Sequence, residues 1–157
     1  MNEKPGGSPE ERENGELTEE QTKKLREKVV QKLLIDKVAV LDELIDMSAV
    51  HINLEASGKV HIKNPENKTG AELIALVLVG KKLANLAGLC SSDLVGIDEV
   101  VETTGQVLNV ATARLSELKR DGIVQNPSRG AYRIASLAGV RKVLMSIGAK
   151  ARSQGGQ

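Results

Sequence analysis

The chain has 157 residues, 40% hydrophobic and 27% charged, which suits one medium domain or two small ones of ordinary globular composition. Its one Tyr, with no Phe and no Trp, leaves Leu, Ile, Val and Ala to build the core and disfavours a base-stacking aromatic sheet. The net charge of +1 hides a gradient: residues 1–20 hold seven acids against Lys4 and Arg12, whereas residues 104–157 hold nine bases against Glu117 and Asp121. That gradient predicts an anionic partner for the last third.

A single Cys excludes an intramolecular disulfide and disfavours a Cys-based metal site. No apolar run approaches the roughly 18–20 residues that cross a membrane. The acidic, polar start is the opposite of a signal peptide, so the expected location is cytoplasmic, with no membrane contact.

Residues 1–17 lack apolar periodicity and are rich in Glu, Gly and Pro, which predicts a disordered acidic tail. Thr18-Glu19-Glu20-Gln21 has the capping-box pattern and opens a helix expected to run to about Asp46. Between residues 29 and 45, 11 of 17 positions are apolar, wider than the stripe of a helix with one wet side. Leu34, Val38, Leu41 and Ile45 have heptad-like spacing over about two heptads, too short for a coiled coil.

Residues 50–63 switch to a period of two. Val50, Ile52 and Leu54 alternate with His51, Asn53 and Glu55, and Val60 and Ile62 alternate with Lys59, His61 and Lys63. A three-residue loop, Ala56-Ser57-Gly58, opposes Leu54 to Val60 and Ile52 to Ile62, keeps the apolar groups on one face, and puts Gly58 at positive φ. The same alternation places His51 and His61 together on the outward face, where Lys59 and Lys63 disfavour a metal. Residues 64–68 read as a turn. Thr69-Gly70-Ala71-Glu72 is a second capping box, opening a central buried helix over 70–87 that stops at Gly88. Gly80 inside that helix costs about 1 kcal/mol relative to Ala, a cost that close packing explains.

From Val95 the chain reads VGIDEVVETTGQVLNVATARLSELKRDGIVQNPSRGAYRI. Ile97, Val100 and Val101 predict a short helix ending at Gly105, and residues 106–108 a turn. Ala111, Leu115 and Leu118 mark the buried face of a helix over 109–120, stopped by Asp121-Gly122. Ile123-Val124-Gln125 and Ala131-Tyr132-Arg133-Ile134 read as strands around the turn 126–130. Residues 136–150 carry a final amphipathic helix, and residues 151–157 read as a frayed, disordered tail.

Helix, turn, helix and hairpin in this order and at these lengths resemble the winged helix-turn-helix superfamily over roughly residues 71–135. Residues 18–69 resemble no family. The resemblance implies a mainly α fold with small β-hairpins (α+β). The expected organisation is a disordered tail (1–17), a long helix with a hairpin as dimerisation or interaction region (18–69), a winged helix-turn-helix domain with an appended C-terminal helix (70–150), and the tail 151–157. It also implies that helix 109–120 enters the major groove and that the wing, 123–134, lies alongside. The residues it assigns to DNA are Gln106, Asn109, Thr112, Ala113, Arg114 and Ser116 on the helix side, and Arg129 and Arg133 on the wing. Asn suits adenine, Arg suits guanine or phosphate, and a wing-tip Arg suits the narrow minor groove. Lys119 and Arg120 are accounted for by the helix macrodipole.

Cys90 has no His near it in sequence and reads as a plain semi-buried thiol, and Val79-Gly80-Lys81-Lys82 lacks phosphate-loop spacing. The expectation is therefore no enzyme, no cofactor and no metal. The leading functional expectation is a duplex-DNA-binding transcriptional regulator, homodimeric through helix 18–46 with help from helix 70–87. Fold does not fix function, and two other readings stand beside it. One is a winged-helix protein-interaction subunit or adaptor of a larger nucleic-acid-processing assembly, with a protein partner on residues 18–69. The other is a chromatin or RNA-associated factor that reads only backbone.

Overall fold

Thr18 opens the first ordered element because its hydroxyl accepts the Gln21 N–H at 3.1 Å while the Gln21 side chain accepts the Thr18 N–H at 3.0 Å. The computed structural model describes residues 16–34 and 36–155, the last seven of these by backbone alone. The expected tail over 1–17 therefore falls almost wholly outside the described residues. The chain divides into two compact units, residues 1–40 and 41–157.

Helix α1 spans Glu19–Lys32 and buries none of its residues. A single helix running to Asp46 is not what forms. Leu33 caps α1, and α2 starts anew over Lys37–Ala49. Asp36 is the physical cause: its carboxylate oxygen accepts the N–H groups of Val38 and Ala39 at 3.1 and 3.2 Å. A short carboxylate that can bond nearby backbone amides favours a helix start over a helix interior. Unit by unit, Leu33, Leu34 and Val38 lie exposed in the first.

In the second unit, α2 buries Leu44 and Ser48, and the Ser48 hydroxyl donates to the Leu44 carbonyl at 2.7 Å. Strands β1 (Ile52–Leu54) and β2 (Val60–Ile62) pair antiparallel with Leu54 opposite Val60 and Ile52 opposite Ile62, the register that keeps the apolar groups together. Gly58 takes φ +93° in the loop. The expected face of the two histidines is corrected. His51 is buried at 8% exposure while Val50, assigned to the inner face, is 65% exposed. The strand begins only at Ile52. His51 sits in the turn leaving α2, its N–H bonded to the Ser48 carbonyl at 2.8 Å, and turn residues obey no period of two. His61 stays exposed and hydrogen-bonds Glu55, which holds the Glu55 carboxyl below the usual range.

A 3-10 turn over Pro65–Asn67 leads to α3, Gly70–Leu86, whose capping box joins Thr69 and Glu72 in both directions. Residues 74–80 of α3 are buried without interruption. A helix covered on all sides needs neighbours all round, and α3 has them: β1 and β2, then α4 (Ile97–Thr104), α5 (Leu108–Arg120), β5 (Ala131–Ile134) and α6 (Leu137–Gly155). Gly80 is where the hairpin seats. A Cβ there would meet the two Val60 methyls at 2.7 and 2.9 Å. Residues 74–80 of α3 are buried inside their own unit and leave that stretch no apolar surface for the expected dimer interface, while Leu86 at the helix end is exposed.

A strand absent from the sequence reading, β3 (Val95–Gly96), pairs with β5, and β4 (Val124–Ser128) pairs with the other side of β5, giving the order β3-β5-β4. β4 runs farther than expected, because Asn126, Pro127 and Ser128 continue it past a register shift. Pro127 is tolerated there because β4 is an edge strand. The backbone of α6 continues through Gly155, beyond Lys150 where the sequence reading has the chain fray. The architecture is mixed α+β, with two small antiparallel sheets among the described residues.

Candidate nucleic-acid interface

Helix α5 is fixed by its apolar row. Ala111, Leu115 and Leu118 are buried, as their i, i+4, i+7 spacing predicts. The opposite side is then set by geometry, since 3.6 residues per turn brings Asn109, Ala113, Ser116 and Arg120 into one row, and all four are exposed. Thr112 lies beside that row, also exposed, with its hydroxyl donating to the Leu108 carbonyl at 2.9 Å. Arg114 is half-exposed and pairs with Glu117 at 3.2 Å, which neutralises the one acid of the helix. Val107 occupies the N-cap without a side-chain bond, so the first-turn amides of α5 are not capped by a side chain.

The β4–β5 turn is shaped by Asn126. Its amide donates to the carbonyls of Ser128 and Ala131, both at 2.7 Å, replacing ladder bonds lost at the register shift. Arg129 and Gly130 form the tip, with Gly130 at φ +75°. Among the described residues Arg129 is exposed and makes no ion pair. Arg133 is more restrained. Its Nε donates to Gln125 at 3.0 Å, and its guanidinium lies 3.9 Å from Asp93, which also holds Lys82 at 3.2 Å.

Gln106 turns inward. Its amide donates to the Gly70 carbonyl at 2.8 Å, tying the start of α3 to the turn before α5, while its side-chain oxygen is buried without a partner. The structure thus groups Asn109, Thr112, Ala113 and Ser116 on one exposed face, carries Arg129 at the tip of the β4–β5 turn, and holds Arg114, Arg133 and Gln106 by internal bonds.

No protein-family model, curated protein or solved structure matches this chain.

Two features escaped the sequence reading. Arg120 belongs to the outward row, a position its i+4 spacing from Ser116 encodes. Val107, Leu108 and Val110 are exposed at the leading end of α5, at 66%, 54% and 42%. Among the described residues, no group of three or more His, Cys, Asp and Glu is placed to hold a metal ion. Cys90 is half-buried, its thiol donating to the Ser92 carbonyl at 3.3 Å.

Proposed function

We propose that the protein binds duplex DNA as a winged helix, with α5 in the major groove and the β4–β5 turn along flanking phosphates or the minor groove. The observation that carries this reading is the exposed row Asn109, Ala113, Ser116 and Arg120, small and polar at its centre, backed by a fully buried apolar row. Small residues let a helix approach base edges closely, and Asn109 offers a donor and an acceptor to adenine. The order of α3, β3, α4, α5 and a hairpin, with strands ordered β3-β5-β4, supports the winged-helix assignment. The nine bases and two acids of residues 104–157 supply the attraction to phosphate.

We assign the protein to transcriptional regulation as a homodimer. The support is the exposure of Leu25, Val29, Leu33, Leu34 and Val38 in the first unit, apolar side chains that a second copy of the chain would cover. The second reading, a protein-interaction subunit of a larger assembly, is favoured by those same exposed side chains and by the exposed Val107, Leu108 and Val110.

Binding to a labelled duplex across a salt series tests the proposal. Arg129→Ala should weaken binding to every sequence and flatten the salt slope by about one unit. Asn109→Ala should cost about 1–3 kcal/mol of discrimination at one base pair. Both variants binding as the wild type does would remove this face from the DNA surface.

A further inference from the structure

The entering end of α5 has an unusual chemistry for a face turned to a polyanion. From Gln106 to Ala113 there is no Lys and no Arg, and Val107, Leu108 and Val110 lie exposed. The hydroxyl of Thr112 donates its proton to the Leu108 carbonyl, so what that side chain offers an outside contact is its methyl and an acceptor oxygen. Ala113 adds another methyl on the outward row. The first cation along the helix, Arg114, is committed to Glu117. Asn109 is thus the one polar reader with an uncommitted side chain in the first turn and a half, surrounded by hydrocarbon.

Resting on the duplex-binding reading above, we infer that α5 selects A·T base pairs, with the hydrocarbon of Val110, Thr112 and Ala113 packed on thymine 5-methyl groups and Asn109 on adenine. The major groove of unmodified DNA offers one hydrocarbon group, the thymine methyl, and adenine is the base whose edge matches an Asn amide. Guanine is read most often by Arg or Lys, which the entering turn and a half lacks. The cations that the face does have, Lys119, Arg120 and Arg129, stand at the far end of α5 and at the wing tip, where they suit flanking phosphates. This arrangement, hydrocarbon over the first turns of α5 and cations at its last turn and at the β4–β5 tip, fits a duplex more closely than it fits an apolar protein surface.

The test uses the full chain and a random duplex pool, followed by titration of the selected duplex with each thymine in turn replaced by uracil. Uracil keeps the pairing and the O4 acceptor and loses only the methyl. The expected result is a selected site containing A·T pairs, weakened roughly fourfold for each contacted methyl removed. Val110→Ser, at an exposed position and with its fold checked by circular dichroism, should bring the thymine-to-uracil ratio at one base toward one. A selected site of G·C pairs, or thymine-to-uracil ratios of one throughout, overturns this inference while duplex binding stands. No salt-dependent binding to any duplex overturns the duplex reading itself, and this inference with it.

Discussion

Gly80→Ala sets two physical effects against each other. Ala is favoured over Gly in a helix interior by about 1 kcal/mol, so propensity alone makes the variant more stable. The added Cβ, however, would stand 2.7 Å from one Val60 methyl, 2.9 Å from the other, and 3.1 Å from Ile52 Cδ1. Val60 is β-branched, so a rotation about χ1 exchanges one clashing methyl for the other rather than clearing both. The hairpin must move off α3, and overpacking of this kind costs about 1–3 kcal/mol. The expected net effect is a loss of up to about 2 kcal/mol, read as a lower urea midpoint with an unchanged slope. Val60→Ala opens the space the new methyl needs, so the double variant should be less destabilised than the sum of the singles by more than 0.5 kcal/mol, on the order expected for contacting residues. A more stable Gly80→Ala protein, or strict additivity in the cycle, would show that β1 and β2 do not seat on α3 at this position.

Three further outcomes follow from the geometry. Gln106→Ala removes the bond to the Gly70 carbonyl and should lower stability by about 1 kcal/mol, measured by denaturation. Burial, and after it the charge of Lys68, hold the His51 imidazole below its ordinary range, with Glu72 opposing. The unfolded chain therefore binds that proton more tightly, so stability is complete above the ordinary histidine range and declines as pH falls through it; a His51→Gln protein should lose that part of the decline in a pH series of melts. In sedimentation equilibrium at micromolar concentration the chain should exceed 16.8 kDa, and Leu34→Glu combined with Leu41→Glu should shift it toward that mass; a wild-type mass of one chain removes the dimer.

Where local chemistry decides the structure, the sequence was readable. Thr18 with Gln21, Thr69 with Glu72, the Leu54 to Val60 register and the Ala111, Leu115, Leu118 face each depend on residues a few positions apart. The features that escaped depend on something else. β3 has two residues, one of them Gly, too few to display a period, and exists because β5 pairs with it. The break before Lys37 turns on one carboxylate choosing backbone amides over solvent, inside a run whose apolar density argues for continuity. Gln106 reads as a polar groove residue, yet its partner Gly70 lies 36 residues away. His51 follows the alternating text by position and departs from it because it belongs to the turn. On the candidate face, Asn109, Thr112, Ala113 and Ser116 were legible as the complement of the buried row. The exposure of Val107, Leu108 and Val110 was not, since apolar residues beside a helix start read first as core.

The most direct test of the central claim is amide chemical-shift mapping of the labelled chain on addition of a short duplex. The expected result is that the largest changes fall on Asn109, Thr112, Ala113 and Ser116 of α5 and on Arg129 and Gly130 at the tip of the β4–β5 turn, and fade as salt is raised. Changes absent throughout, or confined to residues 25–45, would contradict it.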